Sequence, residues 1–315
     1  MSSEPGPTVG LDIGGTKVLG VVVDAAGTIT AEERRPSPVD GLEGLVAACA
    51  ALVADLAPPG AAVGVGAAGL VDLHGRLTYA PNIPGVRDAP LQLALAEATG
   101  RAVVVDNDAN VAALGEVTYG AAIGARLAIM VTLGTGIGGG IILDGSIFRG
   151  AHGFAAEIGH ITVDRDGALC ACGERGHWEA IASGTALGRM ARELVEAGEG
   201  AAILAAANGH LDDVSGEEVG LAAARGDGEA RELLARYADN VALGLVNLAN
   251  VFDPERFVIS GGVVELGPLL LEPLVAAFEA HLEGADHRPE IPIVPARLGE
   301  KAGAVGAAVL ARTAG

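Results

Sequence analysis

Two short stretches decide the fold: Asp12-Ile13-Gly14-Gly15-Thr16-Lys17 and Leu133-Gly134-Thr135-Gly136-Ile137-Gly138-Gly139-Gly140. Each follows an apolar run, TVGL before Asp12 and LAIMVT before Leu133. Each leads directly into another, VLGVVVDAAG and IILDGSIF. Each therefore reads as a strand–turn–strand hairpin, and the pair reads as one device used twice. Glycine lets backbone amides come close to a bound group, and successive N–H groups in such a turn form an anion-binding concavity. Thr16 and Thr135 add hydroxyl donors. Two such turns facing each other across a cleft suit the phosphates of a nucleotide, which points to phosphoryl transfer.

The same glycines admit a rival reading. Gly134, Gly136 and Gly139 satisfy GxGxxG, as do Gly64, Gly66 and Gly69 in GVGAAG. A dinucleotide fingerprint needs its last glycine to open a helix whose N-terminus holds the pyrophosphate. Here IILDGSIF and LVDLHGRL follow instead, and both read as strand and turn. The context fails twice, which disfavours a Rossmann oxidoreductase.

Working outward, TVGLDIGG, VLGVVVDAAG and TITAEERRP read as three consecutive strands, then LEGLVAACAALVADL as a helix. AAVGVGAAG reads as a buried strand, APLQLALAEATG as a helix, AVVVDND as a strand and ANVAALGEVTYGAA as a helix. Strands alternating with helices imply a largely parallel α/β sheet. Near Arg126 the scheme restarts with LAIMVTLGTG and GGGIILDGSIF. Helical stretches around 180–197, 217–225 and 229–250 follow. RFVISGG is then a strand, LLLEPLVAAFEAHL a helix, IPIVPA a strand and KAGAVGAAVLART a last helix. The expected division is an N-terminal α/β domain, 1–120, joined by the C-terminal helix 300–315, and a C-terminal α/β domain, 121–299, with the boundary at 119–125. Duplicated α/β halves with a phosphate hairpin in each are the plan of the actin-like ATPase (ribonuclease H-like) fold.

Composition sets bounds on function. The 315 residues suffice for two domains with substantial cores. Half of them are hydrophobic, but no apolar run reaches the ~18–20 residues of a membrane span. MSSEPGPTVG lacks the basic and apolar regions of a secretory signal, so a cytoplasmic protein is expected. The net charge of −20 argues against nucleic-acid binding, which relies on cations at phosphates. Lys17 and Lys301 are the only lysines. A phosphate site must then lean on backbone amides, hydroxyls and a metal ion. Three cysteines make no disulfide framework, and Cys49, inside an amphipathic helix, reads as a small buried hydrophobe.

Three clusters carry chemistry. Asp106-Asn107-Asp108-Ala109-Asn110 lies after a strand and before a helix, where open α/β sheets bind ligands. Phosphoryl transfer to an alcohol needs a carboxylate to accept the hydroxyl proton, and Asp106 and Asp108 both qualify by type. Asx residues also cap helices, and Asp108 or Asn110 could do only that. Glu157 and His160, three apart, suit charge-assisted hydrogen bonds to sugar hydroxyls, or a surface pair. The third cluster is Cys170-Ala171-Cys172-Gly173-Glu174-Arg175-Gly176-His177-Trp178-Glu179. With His160 upstream it supplies a Cys₂His₂ set, which suits a closed, structural tetrahedral zinc site. Such a site would pin the loop that presents Glu157, His160 and Glu179. Two reduced cysteines in a glycine turn are the alternative.

At these residues the chain resembles the ROK family (repressors, open reading frames, kinases), and within it the bacterial glucokinases. The resemblance runs over essentially the whole chain, through LDIGGTK, GAAGLVD, YAPNIPG, DNDAN, TLGTGIGGGII, FRGAHGFAAEIGH and CACGERGHWE in that order. It implies an actin-like, two-domain sugar kinase using ATP and magnesium to phosphorylate the 6-hydroxyl of glucose, with Asp108 as catalytic base. By the same resemblance Asn82, Asn107, Asp108, Glu157, His160 and Glu179, with backbone near Gly69, would hold the sugar. Gly14, Gly15, Thr16, Lys17, Thr135 and Gly136 would serve the phosphates, Gly261 and Gly262 would lie beside the adenosine, and Asp12 would hold magnesium through water. His160 would use one ring nitrogen for zinc and the other for a sugar hydroxyl. The chain departs from the family pattern CxCGxxGC by placing His177 where a third cysteine stands; Cys170, Cys172, His160 and His177 are then the expected zinc ligands.

The resemblance also implies a homodimer or homotetramer, while the net charge and the lack of a long apolar run lead us to expect no nucleic-acid or membrane partner. Two other functions lie within reach of the family. One is a kinase for another hexose (N-acetylmannosamine, fructose or mannose) or one using polyphosphate, although a polyphosphate donor calls for a basic groove. The other is a sugar-responsive regulator, disfavoured because the first hairpin begins by residue 12 and leaves no room for a helix-turn-helix.

Overall fold

The computed structural model describes residues 6–313. In chain order it forms β1 (Thr8–Ile13), β2 (Lys17–Val23), β3 (Ile29–Pro36), α1 (Gly41–Leu56), β4 (Val63–Ala67), β5 (Leu70–Val71), β6 (Leu77–Tyr79), β7 (Arg87–Ala89), α2 (Leu91–Thr99), β8 (Val103–Asn107) and α3 (Asp108–Tyr119). There follow β9 (Leu127–Leu133), β10 (Ile137–Leu143), β11 (Ser146–Ile147), α4 (Glu179–Ala182), α5 (Gly184–Glu196) and α6 (Ala201–Ala206). The chain ends with α7 (Gly216–Ala224), α8 (Gly228–Phe252), β12 (Arg256–Ser260), α9 (Pro268–His281), β13 (Ile293–Pro295) and α10 (Ala302–Ala311). Of the expected C-terminal helix 300–315, residues 314–315 lie outside the described residues. No helix among the described residues is long and apolar enough to cross a membrane.

Two units emerge. One comprises the described residues up to Met130, Gly140–Ala156 and the chain from Ala296; the other comprises Val131–Gly139 and Glu157–Pro295. The first is built on a sheet of order β3-β2-β1-β4-β8. Glycine hairpins join β1 to β2 and β2 to β3, and such short connections force antiparallel pairing. The connections through α1 and α2 are long enough to bring β4 and β8 back parallel. The sheet is therefore mixed, not largely parallel as expected from strand–helix alternation, because the first three strands have no helix between them.

Alternation of side chains sorts the two faces of this sheet. Val9, Leu11 and Ile13 of β1 and Val63, Val65 and Ala67 of β4 pack with Leu45, Cys49 and Leu52 of α1. Burial pushes the Cys49 thiol up to about 12, as for an inert core residue. Gly10 and Gly64 point the other way, against α10. A β-carbon would stand 1.9 Å from the Ala304 carbonyl oxygen at Gly10 and 1.8 Å from that of Ala307 at Gly64. At Gly66 it would meet Val111 of α3 at 2.5 Å. Gly64 and Gly66 of GVGAAG thus admit helices onto the sheet, while Gly69 lies against the Tyr79 backbone and leads into a strand, so the motif opens no dinucleotide turn. A small antiparallel sheet, β5-β6-β7, follows Gly69.

Glu116 of α3 is fully buried yet satisfied. Its carboxylate accepts the N–H groups of Ala121, Arg297 and Leu298, at 2.6, 3.1 and 2.7 Å. It therefore ties the end of α3 to the segment that leads into α10.

A second sheet has the order β11-β10-β9-β12-β13. In the second unit Phe257 of β12 and Phe278 of α9 meet edge to face, centroids 5.8 Å apart. The 25-residue α8 is capped by Asp227, whose side chain accepts from Ala230 N. Trp178, the only tryptophan, is 0% exposed and donates from Nε1 to the Asn240 carbonyl at 2.9 Å. Tyr237 donates its hydroxyl proton to the Ala182 carbonyl at 2.8 Å. Together these two bonds fix α4 on α8.

Candidate active site

In the first unit the turn after β1 closes through Gly14 N to the Lys17 carbonyl, 3.0 Å. Ser37 braces it, donating its N–H to the Thr16 carbonyl and its hydroxyl to the Gly14 carbonyl. Gly15 lies against the backbone of Asn82, so the first hairpin and the YAPNIPG loop adjoin. Lys17 turns to Glu300 at 3.2 Å, and Glu300 also holds Arg34; these two cations pull its carboxyl down to about 2.

Within DNDAN the polar groups divide their work. Asn107 caps α3, accepting from Asn110 N, and donates from Nδ2 to the Gly69 carbonyl, both at 3.0 Å. Asp106 is buried with both oxygens committed. Oδ1 takes the N–H of Asn107 at 2.7 Å and Nδ2 of Asn110 at 3.0 Å, while Oδ2 takes Nε of Arg149 at 2.6 Å. Sequence type left Asp106 and Asp108 equivalent; these bonds make Asp106 the scaffold. Arg149, in the FRGAH segment 43 residues away, is the partner that sequence reasoning did not assign.

Asp108 opens α3, with Oδ1 accepting Ala109 N at 3.0 Å. Its pKa is raised, because burial outweighs the stabilising hydrogen bonds from backbone and Asn107. Asp12 shares the Gly10 face of β1, beside Gly303 in the first turn of α10. Burial first, then repulsion from Asp108, raises it to about 7 against an opposing pull from Lys17. Solvent reaches both carboxylates only in part.

The second unit carries the second hairpin. Gly134 N bonds the Gly136 carbonyl at 3.0 Å, closing the turn. The carbonyls of Gly134 and Thr135 accept from Gly184 N and the Thr185 hydroxyl, both at 2.7 Å. Gly261 packs on the backbone of Leu133, and Gly262 begins the single helical turn beyond it. A cleft of about 1110 Å³ opens here, with Gly134, Thr135, Thr185 and Gly262 on its floor and Leu187, Leu221 and Leu266 among its apolar walls. A partly apolar slot ending on a glycine turn suits a planar base with a phosphate tail. The apolar wall residues from α5 and α7 were not singled out by sequence; they come from helices whose amphipathic faces only packing reveals.

Glu157 precedes the single turn Ile158–His160. The four expected zinc ligands converge: the donor atoms of His160, Cys170, Cys172 and His177 lie within 4.8 Å of one another. His160 Nδ1 is 3.3 Å from His177 Nδ1, which is 3.2 Å from Cys172 Sγ, and Cys170 Sγ is 3.9 Å from His160 Nδ1. A zinc tetrahedron with bonds of about 2.0–2.3 Å has edges of about 3.3–3.8 Å, so the donors fit the ion in both chemistry and spacing. His160 presents Nδ1 to the cluster, leaving Nε2 for another role. Glu179 touches this cluster and the second hairpin, with Oε1 3.2 Å from Cys170 Sγ and Oε2 accepting Ile137 N at 2.9 Å.

Comparison with known proteins agrees with this geometry. The ROK family model matches residues 8–314. A glucokinase of Streptomyces coelicolor is 42% identical over 312 residues, 98% of each chain. One from Halalkalibacterium halodurans is 37% identical, over 95% of this chain and 92% of its own. The crystal structure of a ROK family glucokinase from Streptomyces griseus, in complex with glucose and AMPPNP, superposes with a TM-score of 0.86 at 43% identity. It covers 98% of this chain and 100% of its own.

Proposed function

The chain belongs to the ROK family, and from that premise we propose that it transfers the γ-phosphoryl group of ATP to the 6-hydroxyl of glucose. The observation that carries this reading is the division of labour in DNDAN. Asp106 has three donors on its two oxygens, so Asp108 is the carboxylate of that loop suited to accept a proton. The 6-oxygen attacks the γ-phosphorus, its proton passes to Asp108, and the bond to the leaving ADP oxygen breaks.

The resemblance to the ROK glucokinases supports the remaining roles, proposed here in turn. Asn82, Asn107, Glu157, His160 through Nε2, Glu179 and the backbone near Gly69 hold the sugar. Gly14, Gly15, Thr16 and Lys17, with Thr135 and Gly136, serve the phosphates, and Gly261 and Gly262 flank the adenosine. Asp12, a carboxylate whose ionisation is resisted by burial and by Asp108, suits a nearby cation and would hold Mg²⁺ through water. Bound Mg²⁺ neutralises charge on the donor's oxygens. His160, Cys170, Cys172 and His177 would hold a structural Zn²⁺, fixing the loop before Glu179. We further propose that the active species is a homodimer or homotetramer, and that it works in the cytoplasm.

The regiochemistry has a direct test. The 6-deoxy analogue of glucose should bind and inhibit competitively while yielding no phosphorylated product. Phosphorylation of that analogue would reject the 6-hydroxyl as acceptor.

A further inference from the structure

We infer that Arg149 is a positioning residue for the phosphoryl-transfer step, acting through Asp106 to hold the loop that carries Asn107 and Asp108. The inference rests on the reading of Asp108 as the base. Every group concerned lies within the first unit. Arg149 donates from Nε to Asp106 Oδ2 at 2.6 Å, and the Asp106 side chain is only 6% exposed. Asp106 Oδ1 in turn holds the N–H of Asn107 and Nδ2 of Asn110. The ion pair is thus the point at which DNDAN is tied to a segment distant in sequence.

That segment is seated at both of its ends. Before Arg149, Gly140 of β10 lies against α3: a β-carbon there would stand 2.6 Å from the Ala109 carbonyl oxygen. After it, Ala155 N closes the loop onto the Arg149 carbonyl at 3.1 Å. Gly153 within that loop rests on β5, where a β-carbon would stand 2.6 Å from the Val71 carbonyl oxygen. β5 follows Gly69, whose carbonyl accepts Asn107 Nδ2. The contacts close a ring, from Asp106 to Arg149, through Gly153 to β5, and by way of Gly69 back to Asn107. Asp108 is the next residue in the chain. A buried carboxylate stripped of its cation is costly, so without Arg149 the Asp106 side chain would turn toward water or take up a proton. Either change weakens its hold on Asn107 and Asn110. The base beside them then loses its fixed place, and proton transfer requires hydrogen-bond reach.

The experiment measures steady-state glucose phosphorylation for the parent protein, Arg149→Lys, Arg149→Gln and Arg149→Met. Calorimetry gives AMPPNP affinity without sugar, and circular dichroism checks folding. Arg149→Met should lower kcat by about 10- to 100-fold, up to the scale of a reacting group misplaced by about 1 Å, and raise KM for glucose. AMPPNP affinity should stay as in the parent, because neither Arg149 nor Asp106 lines the nucleotide cleft. The bond runs from Nε to a single oxygen, so a lysine ammonium can replace it, and Arg149→Lys should recover most of the loss. Arg149→Gln, a neutral donor, should fall between those two variants. A double-mutant cycle isolates the route. Asp106→Asn keeps an acceptor for Asn107 and Asn110 without the charge, so in that background Arg149→Met should cost little further kcat.

A folded Arg149→Met with the parent's kcat would overturn the inference while leaving the kinase reading intact. So would an equal cost of Arg149→Met with and without Asp106→Asn, or a loss of AMPPNP affinity as large as the loss of kcat. If Arg149→Met does not fold, Arg149→Gln takes its place, and the parent's kcat there overturns the inference equally. A parent protein that phosphorylates no glucose removes the kinase reading and the inference with it.

Discussion

Asp12 and Asp108 carry opposite lessons about charge in one recess. Asp108 must be ionised to accept a proton, yet burial raises its pKa, so kcat should fall as pH drops through a value above that of an ordinary aspartate. Asp108→Ala should lower kcat by ~10²–10⁴, the usual range for a general base, with the melting temperature little changed. A variant retaining near-normal kcat would remove Asp108 from the mechanism. For Asp12 the consequence is one of stability. Its pKa rises from 3.8 to about 7 on folding. Between those values the folded state holds a proton that the unfolded chain has released, so stability falls as pH rises through that window. The contribution is of order 4 kcal/mol for about three pK units. Asp12→Asn, in the absence of Mg²⁺, should therefore raise the melting temperature at pH 8 and leave it nearly unchanged near pH 4. An equal effect at both pH values would contradict the buried-charge account.

Element by element, legibility in the sequence followed the range of the forces. The glycine hairpins, the apolar strands and the capped helices α3 and α8 are local, and residue pattern alone placed them. Of the small sheet, β5 showed only as the strand and turn of LVDLHGRL, while β6 and β7, of three residues each, are held by pairing and left no periodic trace. α6 is a six-residue helix flanked by Gly200 and Ala207, too short for an amphipathic stripe to read. Within the site, the bond from Arg149 to Asp106 spans 43 residues and that from Ile137 to Glu179 spans 42, which no local pattern encodes. The His160–Cys170–Cys172–His177 cluster was legible because three of its four members lie within eight residues. α10 shows how small residues specify packing. At Gly306 a β-carbon would stand 1.6 Å from the Val111 carbonyl oxygen of α3, so the two backbones lie in contact there. Gly306→Val should destabilise the protein by ~3 kcal/mol or more, an overpacking cost at the high end, or prevent folding. A variant with unchanged urea midpoint would show that α10 does not seat on α3 this closely.

At the scale of the whole molecule, a chain with a net charge of −20 and two lysines has few side-chain cations to offer a polyanionic substrate, so the proposed function requires phosphate binding through backbone amides and hydroxyls. The central claim joins both units to one reaction, so the most direct measurement is ADP release from MgATP across glucose, mannose, fructose and N-acetylmannosamine. The account predicts turnover with the highest kcat/KM on glucose and product phosphorylated at its 6-position. Preference for another of these sugars, or no ADP release above the sugar-free rate with any of them, would contradict it.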